Sequence, residues 1–249
     1  MTNLKSNLLL AILITCAQFA NASLPFRADI MWSRPQSAVH LAHDLKLKPL
    51  RKGFVAVEVG PGEEPLCVDC DYLDTNSQLP SEEMRERLRI GDARAIPYAT
   101  QSVDFLIFKN FPWVLESNIR KNGFDITLAG INAMRVRNGA PLFEGRDLEH
   151  IRTSQAEVRQ RVFAQIERVL KSDGSALILH SLVGDAAGEM LNYLSPLVEE
   201  AKARGFIVSE TPNIRDHTSP RLADQNGGYG QPLGGIVITK PDSCERNLN

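Results

Sequence analysis

Val57-Glu58-Val59-Gly60-Pro61-Gly62-Glu63-Glu64-Pro65 follows the apolar residues Phe54, Val55 and Ala56. A short apolar run that ends in glycines reads as a buried strand feeding a tight turn. Glycines at that point let the backbone approach a ligand where a Cβ would clash. Working outward, Leu66-Cys67-Val68 ends in Asp69, Leu88-Arg89-Ile90 ends in Gly91-Asp92, and residues 103–108 form a further apolar run entered through Pro97. Residues 176–179, 206–209 and 235–239 read as later strands. Between them lie stretches of helical spacing. Residues 37–47 place Val39, Leu41, Ala42 and Leu45 on one stripe, and 154–171 do the same with Val158, Val162, Ile166, Val169 and Leu170. Residues 185–204 form a third. Strands alternating with helices predict an α/β fold: a doubly wound, mostly parallel sheet with helices on both faces.

In such sheets ligands sit outside the carboxyl ends of the strands. Three loops point there: the Gly60–Gly62 turn, an acid after the second run (Asp69 or Asp71), and Asp92-Ala93 after the third. Four segments carry a family resemblance: Glu58-Val59-Gly60-Pro61-Gly62 with Pro65, Gly91-Asp92-Ala93-Arg94-Ala95-Ile96-Pro97-Tyr98, Ser102-Val103-Asp104-Phe105, and Arg168-Val169-Leu170-Lys171-Ser172-Asp173-Gly174. In this order, over residues 54–180, they resemble the class I S-adenosylmethionine-dependent methyltransferases, in particular the methyltransferase type 11-like branch. The resemblance implies a Rossmann-like sheet with a reversed final strand and S-adenosylmethionine as cofactor. It also implies residue roles: Glu58 with Gly60 and Gly62 cradling the methionine part, Asp69 or Asp71 on the ribose hydroxyls, and Asp92 with Ala93 facing the adenine.

The sequence departs from that family in specific places. Only Glu63, Glu64 and Pro65 separate Gly62 from Leu66, whereas a crossover between parallel strands needs about 10 to 12 residues. Either a short loop replaces the usual first helix, or 66–69 is not the adjacent strand. An acid stands in place of the third glycine. Glu63 and Glu64 would repel a dinucleotide's pyrophosphate, with no helix N-terminus to compensate. The sulfonium and ammonium of adenosylmethionine would be attracted instead.

Asn110-Phe111-Pro112-Trp113 follows the 103–108 strand and partly resembles the Asn-Pro-Pro-aromatic motif of amino-group methyltransferases. Asn110 is the candidate to orient an acceptor and Trp113 to wall it, against a capping Asn and a packed Trp. Trp113-Val114-Leu115-Glu116-Ser117 lacks the histidines often found there in the family. Cys67 and Cys70 have redox spacing, but on a strand residues i and i+3 face opposite ways, which argues against a bond between them. His40 and His43 share a helix face without a third ligand, so no metal is expected. His180 ends a strand near the expected crevice.

The N-terminus carries Lys5, an apolar run over 8–17, and Ala20-Asn21-Ala22 before Ser23. That order predicts a signal peptide over 1–22 and an exported protein, periplasmic or secreted. The apolar run is shorter than the about 20 residues of a span, so no stable membrane span remains after its removal. Residues 23–249 are expected to form one domain, with an insertion at 122–153 and a long loop at 213–234. The 28 Lys and Arg against 30 Asp and Glu show no basic surface for nucleic acid. Four cysteines, one of them inside 1–22, do not make a disulfide framework. The leading expectation is methyl transfer from S-adenosylmethionine to a small-molecule or peptide substrate. The alternatives are an exported, catalytically inactive methyltransferase-like binding protein and a thiol-disulfide protein using Cys67 and Cys70.

Overall fold

The computed structural model describes residues 30–32, 34–61, 65–75, 82–109, 119–120, 122–181, 194–216 and 231–242. Among these residues nine strands form one sheet: β1 (Ile30–Trp32), β2 (Ala56–Val59), β3 (Asp71–Asp74), β4 (Leu88–Ile90), β5 (Val103–Lys109), β6 (Leu170–Ser181), β7 (Ile207–Glu210), β8 (Ile214–Asp216) and β9 (Gln231–Thr239). Their spatial order is β1-β8-β9-β6-β5-β2-β3-β4, with β7 also paired to β9. The run from β4 to β6 is parallel, and β9 is antiparallel to β6, β7 and β8. This is the Rossmann-like, mostly parallel sheet with a reversed final strand that the sequence implies.

Alternation along the strands builds two cores. Val57, Val59, Leu106, Phe108, Ala176, Ile178, Ile236 and Ile238 face one way, onto α4 (Gly145–Val169) and α5 (Ser195–Ala203) through Val162, Phe163, Ile166, Leu197 and Ala201. Ala56, Phe105, Ile107, Leu177, Leu179 and Val237 face the other way, onto Leu41 of α1 (Ala38–Asp44) and Leu45, its C-cap. Covering both faces buries every residue of β2. Ser37 caps α1, its hydroxyl accepting from the His40 amide at 3.2 Å.

Several expectations are corrected. Residues 66–68 are not the second strand. Cys67 makes only an isolated bridge with Gln36, and the next strand, which pairs parallel to β2, is β3, with Val57 opposite Asp71 and Val59 opposite Leu73. Residues 60–70 therefore form the crossover, and that length meets the about 10 to 12 residues such a connection needs. The short helix α2 (Glu82–Glu86) precedes β4. Residues 122–153, read from sequence as an insertion, hold α3 (Phe124–Arg137) and the first turns of α4, which leaves that reading neither supported nor overturned. Helix α4 starts nine residues before the serine expected to open it. A reciprocal cap of Glu144 and Asp147 nucleates it there, the Glu144 amide donating to the Asp147 carboxylate at 2.7 Å. The 213–234 loop yields β8, which continues β7 along β9 past a break at Thr211. Residues 1–22, the expected signal peptide, and residues 217–230 lie outside the described residues.

Candidate functional site

Parallel pairing puts the carboxyl ends of β2, β3 and β4 side by side. Val59 lies opposite Leu73 and Asp74 opposite Ile90, so Gly60, Asp74 and the Gly91-Asp92 turn leave the same edge. Two strand spacings separate the outer members by about 10 Å. The chain leaves β2 toward β3 and returns from β4 to β5 on the opposite side of β2, which makes this edge a topological switch point.

Gly60 has φ +67°, a conformation that side-chain-bearing residues rarely adopt, and among the described residues nothing lies within 4 Å of where its Cβ would be. Its amide donates to the Leu73 carbonyl at 2.8 Å, tying the β2 turn to β3. The Gly91 amide donates to the Asp74 carbonyl at 2.9 Å, which fixes the backbone that carries the Asp74 carboxylate. Asp92 caps the 3-10 turn Ala93–Ala95, accepting the Arg94 amide at 2.7 Å. The Arg94 Nε reaches both oxygens of the same carboxylate, at 3.0 and 2.9 Å. The Arg94 hydrogen bonds hold the Asp92 carboxyl below its usual range. Ala93 is half-buried against the core.

Below this edge the resembling segments hold one another. The Arg168 guanidinium donates to the carbonyls of Tyr98 and Ile96 at 2.7 and 2.6 Å. Lys171 pairs with Asp104 at 2.6 Å, and Asp104 also accepts the Val55 amide at 2.8 Å. These residues build the loop bearing Asp92 and the entry to β2 rather than touching the edge itself.

The structure separates three of the expected ligand residues from the edge. Asp71 begins β3, at the opposite end from Gly60, and accepts the Tyr98 hydroxyl at 2.8 Å. Burial and this bond push the Tyr98 phenol up. Asp69 accepts the Ala38 amide at 2.7 Å, which anchors the start of α1. Glu58 is fully buried, and its carboxylate accepts the amides of Leu66 at 2.9 and 3.1 Å and Cys67 at 2.9 Å. It shapes the crossover from beneath. Gly62, Asn110 and Trp113 lie outside the described residues.

Sequence reasoning missed Asp74, the acid that does stand at the carboxyl end of β3. The crossover length could have found it: counting about 10 to 12 residues from Val59 moves the second strand to Tyr72-Leu73 and its terminal acid to Asp74.

Cys67 and Cys70 form a disulfide, with Cα atoms 5.7 Å apart. The argument from strand alternation fails because neither residue is within a strand. Both are buried, and the crossover around them is further held by the Tyr72 hydroxyl on the Cys67 carbonyl at 2.6 Å and by Arg87 on the carbonyls of Val68 at 2.6 Å and Cys70 at 3.3 Å. Among the described residues, Cys67, Asp69 and Cys70 are the one group placed to offer three metal ligands, and the disulfide occupies both sulfurs. His180 stands half-buried one residue before the end of β6, and burial pushes its imidazole below the usual value. No helix among the described residues is long and apolar enough to cross a membrane.

No protein-family model matches the sequence. No curated protein matches it either. Solved structures do align. Phosphoethanolamine N-methyltransferase 2 of Haemonchus contortus, in complex with phosphomonomethylethanolamine and S-adenosylhomocysteine, is 12% identical and has a TM-score of 0.42. The alignment covers 85% of this chain and 55% of that one, so this chain spans little more than half its length. An S-adenosylmethionine-dependent methyltransferase of Methanosarcina mazei is 10% identical over 83% of this chain and 100% of its own, with a TM-score of 0.44. At these scores the likeness adds nothing to the strand order and strand-end residues described above.

Proposed function

We propose that this chain binds S-adenosylmethionine across the carboxyl ends of β2, β3 and β4 and transfers its methyl group to a small-molecule or peptide acceptor. The observation that carries the reading is Gly60: a left-handed turn over open space, at the switch point of a parallel sheet, beside strand-end acids on β3 and β4. On this reading the Gly60 backbone approaches the methionine part and the Asp74 carboxylate accepts from the ribose hydroxyls. Asp92 and Ala93 border the adenine. Glu63 and Glu64 favour a cationic ligand over a dinucleotide, and Asn110 and Trp113 orient and enclose the acceptor.

S-adenosylmethionine supplies a methyl already activated by its sulfonium, so the chain's own task is to align the reacting groups and exclude water. That task calls for no strong acid-base pair. The residues 1–22 mark the chain for export, and a Cys67–Cys70 disulfide suits an oxidising compartment.

A second reading, an exported binding protein without catalysis, is favoured by one observation. The carboxylates of Glu58 and Asp92 are already engaged by the protein's own amides and by Arg94.

Calorimetric titration of residues 23–249 tests both. S-adenosylmethionine and S-adenosylhomocysteine are expected to bind and NAD is not; Asp74→Asn weakens binding at least tenfold while Asp71→Asn leaves it unchanged. Consumption of the methyl donor with an acceptor panel supports the enzyme, and binding without consumption supports the second reading. Failure of both adenosyl compounds to bind overturns the two together.

A further inference from the structure

Helix α3 is apolar on nearly every side, yet only Thr127 is fully buried. Phe124, Leu128 and Ile131 are half-buried along its inner side. Its outer side shows Ile126 at 66%, Met134 at 58% and Val136 at 64% exposure, with Ala129 exposed among them. A helix that is hydrophobic all round is ordinarily covered all round. Gly130 sits mid-helix, where glycine costs about 1 kcal/mol relative to alanine. Among the described residues nothing lies within 4 Å of its Cβ position, so their packing gives no steric reason for it.

The outer side has an order. Asp125, Ala129, Ala133 and Arg137 follow one another at four-residue spacing and form one ridge of the helix surface, with the acid and the base at its two ends both exposed. Turned end for end, acid-small-small-base becomes base-small-small-acid. The ridge is therefore complementary to a second copy of itself running the other way. Asp125 then meets Arg137 of the other copy at both ends, alanines meet at the middle, and Ile126 and Val136 close over the flanks. Ridges at this spacing pack at about 50° with axes 8 to 10 Å apart, and small central residues give the closer approach.

We propose that α3 is the surface through which two copies of this chain associate, antiparallel across a two-fold axis. The contact is isologous, as closed dimers require. One helix face buries less than the about 800 Å² per partner of a standard interface, which places the contact among the weak, reversible ones.

Sedimentation velocity of the intact mature chain over a micromolar concentration series tests it. The wild type is expected to show a monomer–dimer equilibrium. Asp125→Arg and Arg137→Asp each shift the dissociation constant upward at least tenfold, and the double exchange Asp125→Arg/Arg137→Asp restores it. Ile126→Glu abolishes the dimer. All three sites are exposed, and unchanged circular dichroism confirms that the variants fold. A chain that stays monomeric throughout the series, a dimer indifferent to the single exchanges, or a double exchange that does not restore it overturns the proposal. So does a monomer that instead pellets with phosphatidylglycerol vesicles through Ile126.

Discussion

The Arg168 guanidinium donates to the Tyr98 carbonyl at 2.7 Å, joining the end of α4 to the loop that leads from Asp92 into β5. Its second bond, to Ile96 at 2.6 Å, makes the contact two-pronged. Hydrogen bonds from a charged donor contribute about 1.5 to 3 kcal/mol each, and two on one side chain are not additive. Arg168→Ala is expected to cost about 2 to 4 kcal/mol in urea unfolding. Arg168→Lys recovers less than half of it, because an ammonium cannot span both carbonyls. A loss below about 0.5 kcal/mol, the ordinary surface range, would show that the loop holds itself.

Glu58 gives a second test. Its buried carboxylate accepts two adjacent amides, and Glu58→Gln turns an NH₂ group toward one of them. The expected loss is about 1 to 3 kcal/mol. Amide hydrogen exchange at Leu66 and Cys67 should accelerate ahead of the sheet. Equal acceleration everywhere would mean that the carboxylate supports the whole domain and not the crossover in particular.

Stability should fall on mild acidification because of His180. Burial lowers its imidazole from the ordinary 6.5, so between that value and the lowered one the unfolded chain binds more protons than the folded chain. Stability is complete above pH 6.5 and is lost as pH falls through this window. His180→Gln is expected to flatten that part of the profile, measured as urea midpoint against pH. An unchanged slope would assign it to other groups.

Asp92 acts in the same direction as His180, over a more acidic range. Arg94 holds its carboxyl below the ordinary 3.8, so the associated stabilisation is present above that pH and is lost only as pH falls through the lowered value. Carboxyl-carbon NMR titration of Arg94→Ala should return Asp92 toward 3.8. A titration identical to the wild type would remove Arg94 as the cause.

The strand ends at Gly60 and at Gly91-Asp92 were legible in sequence because a buried strand leaving a sheet needs a turn, and turns have a residue code. The misplacement of Asp69 and Asp71 has a different origin. Leu66, Cys67 and Val68 form an apolar run, and a run of three cannot distinguish a strand from a loop that packs beneath a helix. Leu66 and Cys67 are buried because α1 covers them, and nothing local encodes that covering. The start of α4 was misread for a related reason. Glu144 and Asp147 cap it as a pair of acids, where a serine ten residues later offered the more usual mark. The role of Arg168 was legible as a motif but not as a contact, since its two acceptors lie 70 and 72 residues away.

A crossover made of helix closes with hydrogen bonds that the chain carries with it and assembles wherever the chain is made. The one at residues 60–70 closes with sulfur, and each molecule must first surrender two electrons to an outside acceptor. Once shut, both sulfur atoms lie out of reach of dissolved thiols. Completion of the crossover beside the sheet edge that bears Gly60 and Asp74 is thereby tied to an oxidation, a step that a helical connection does not need.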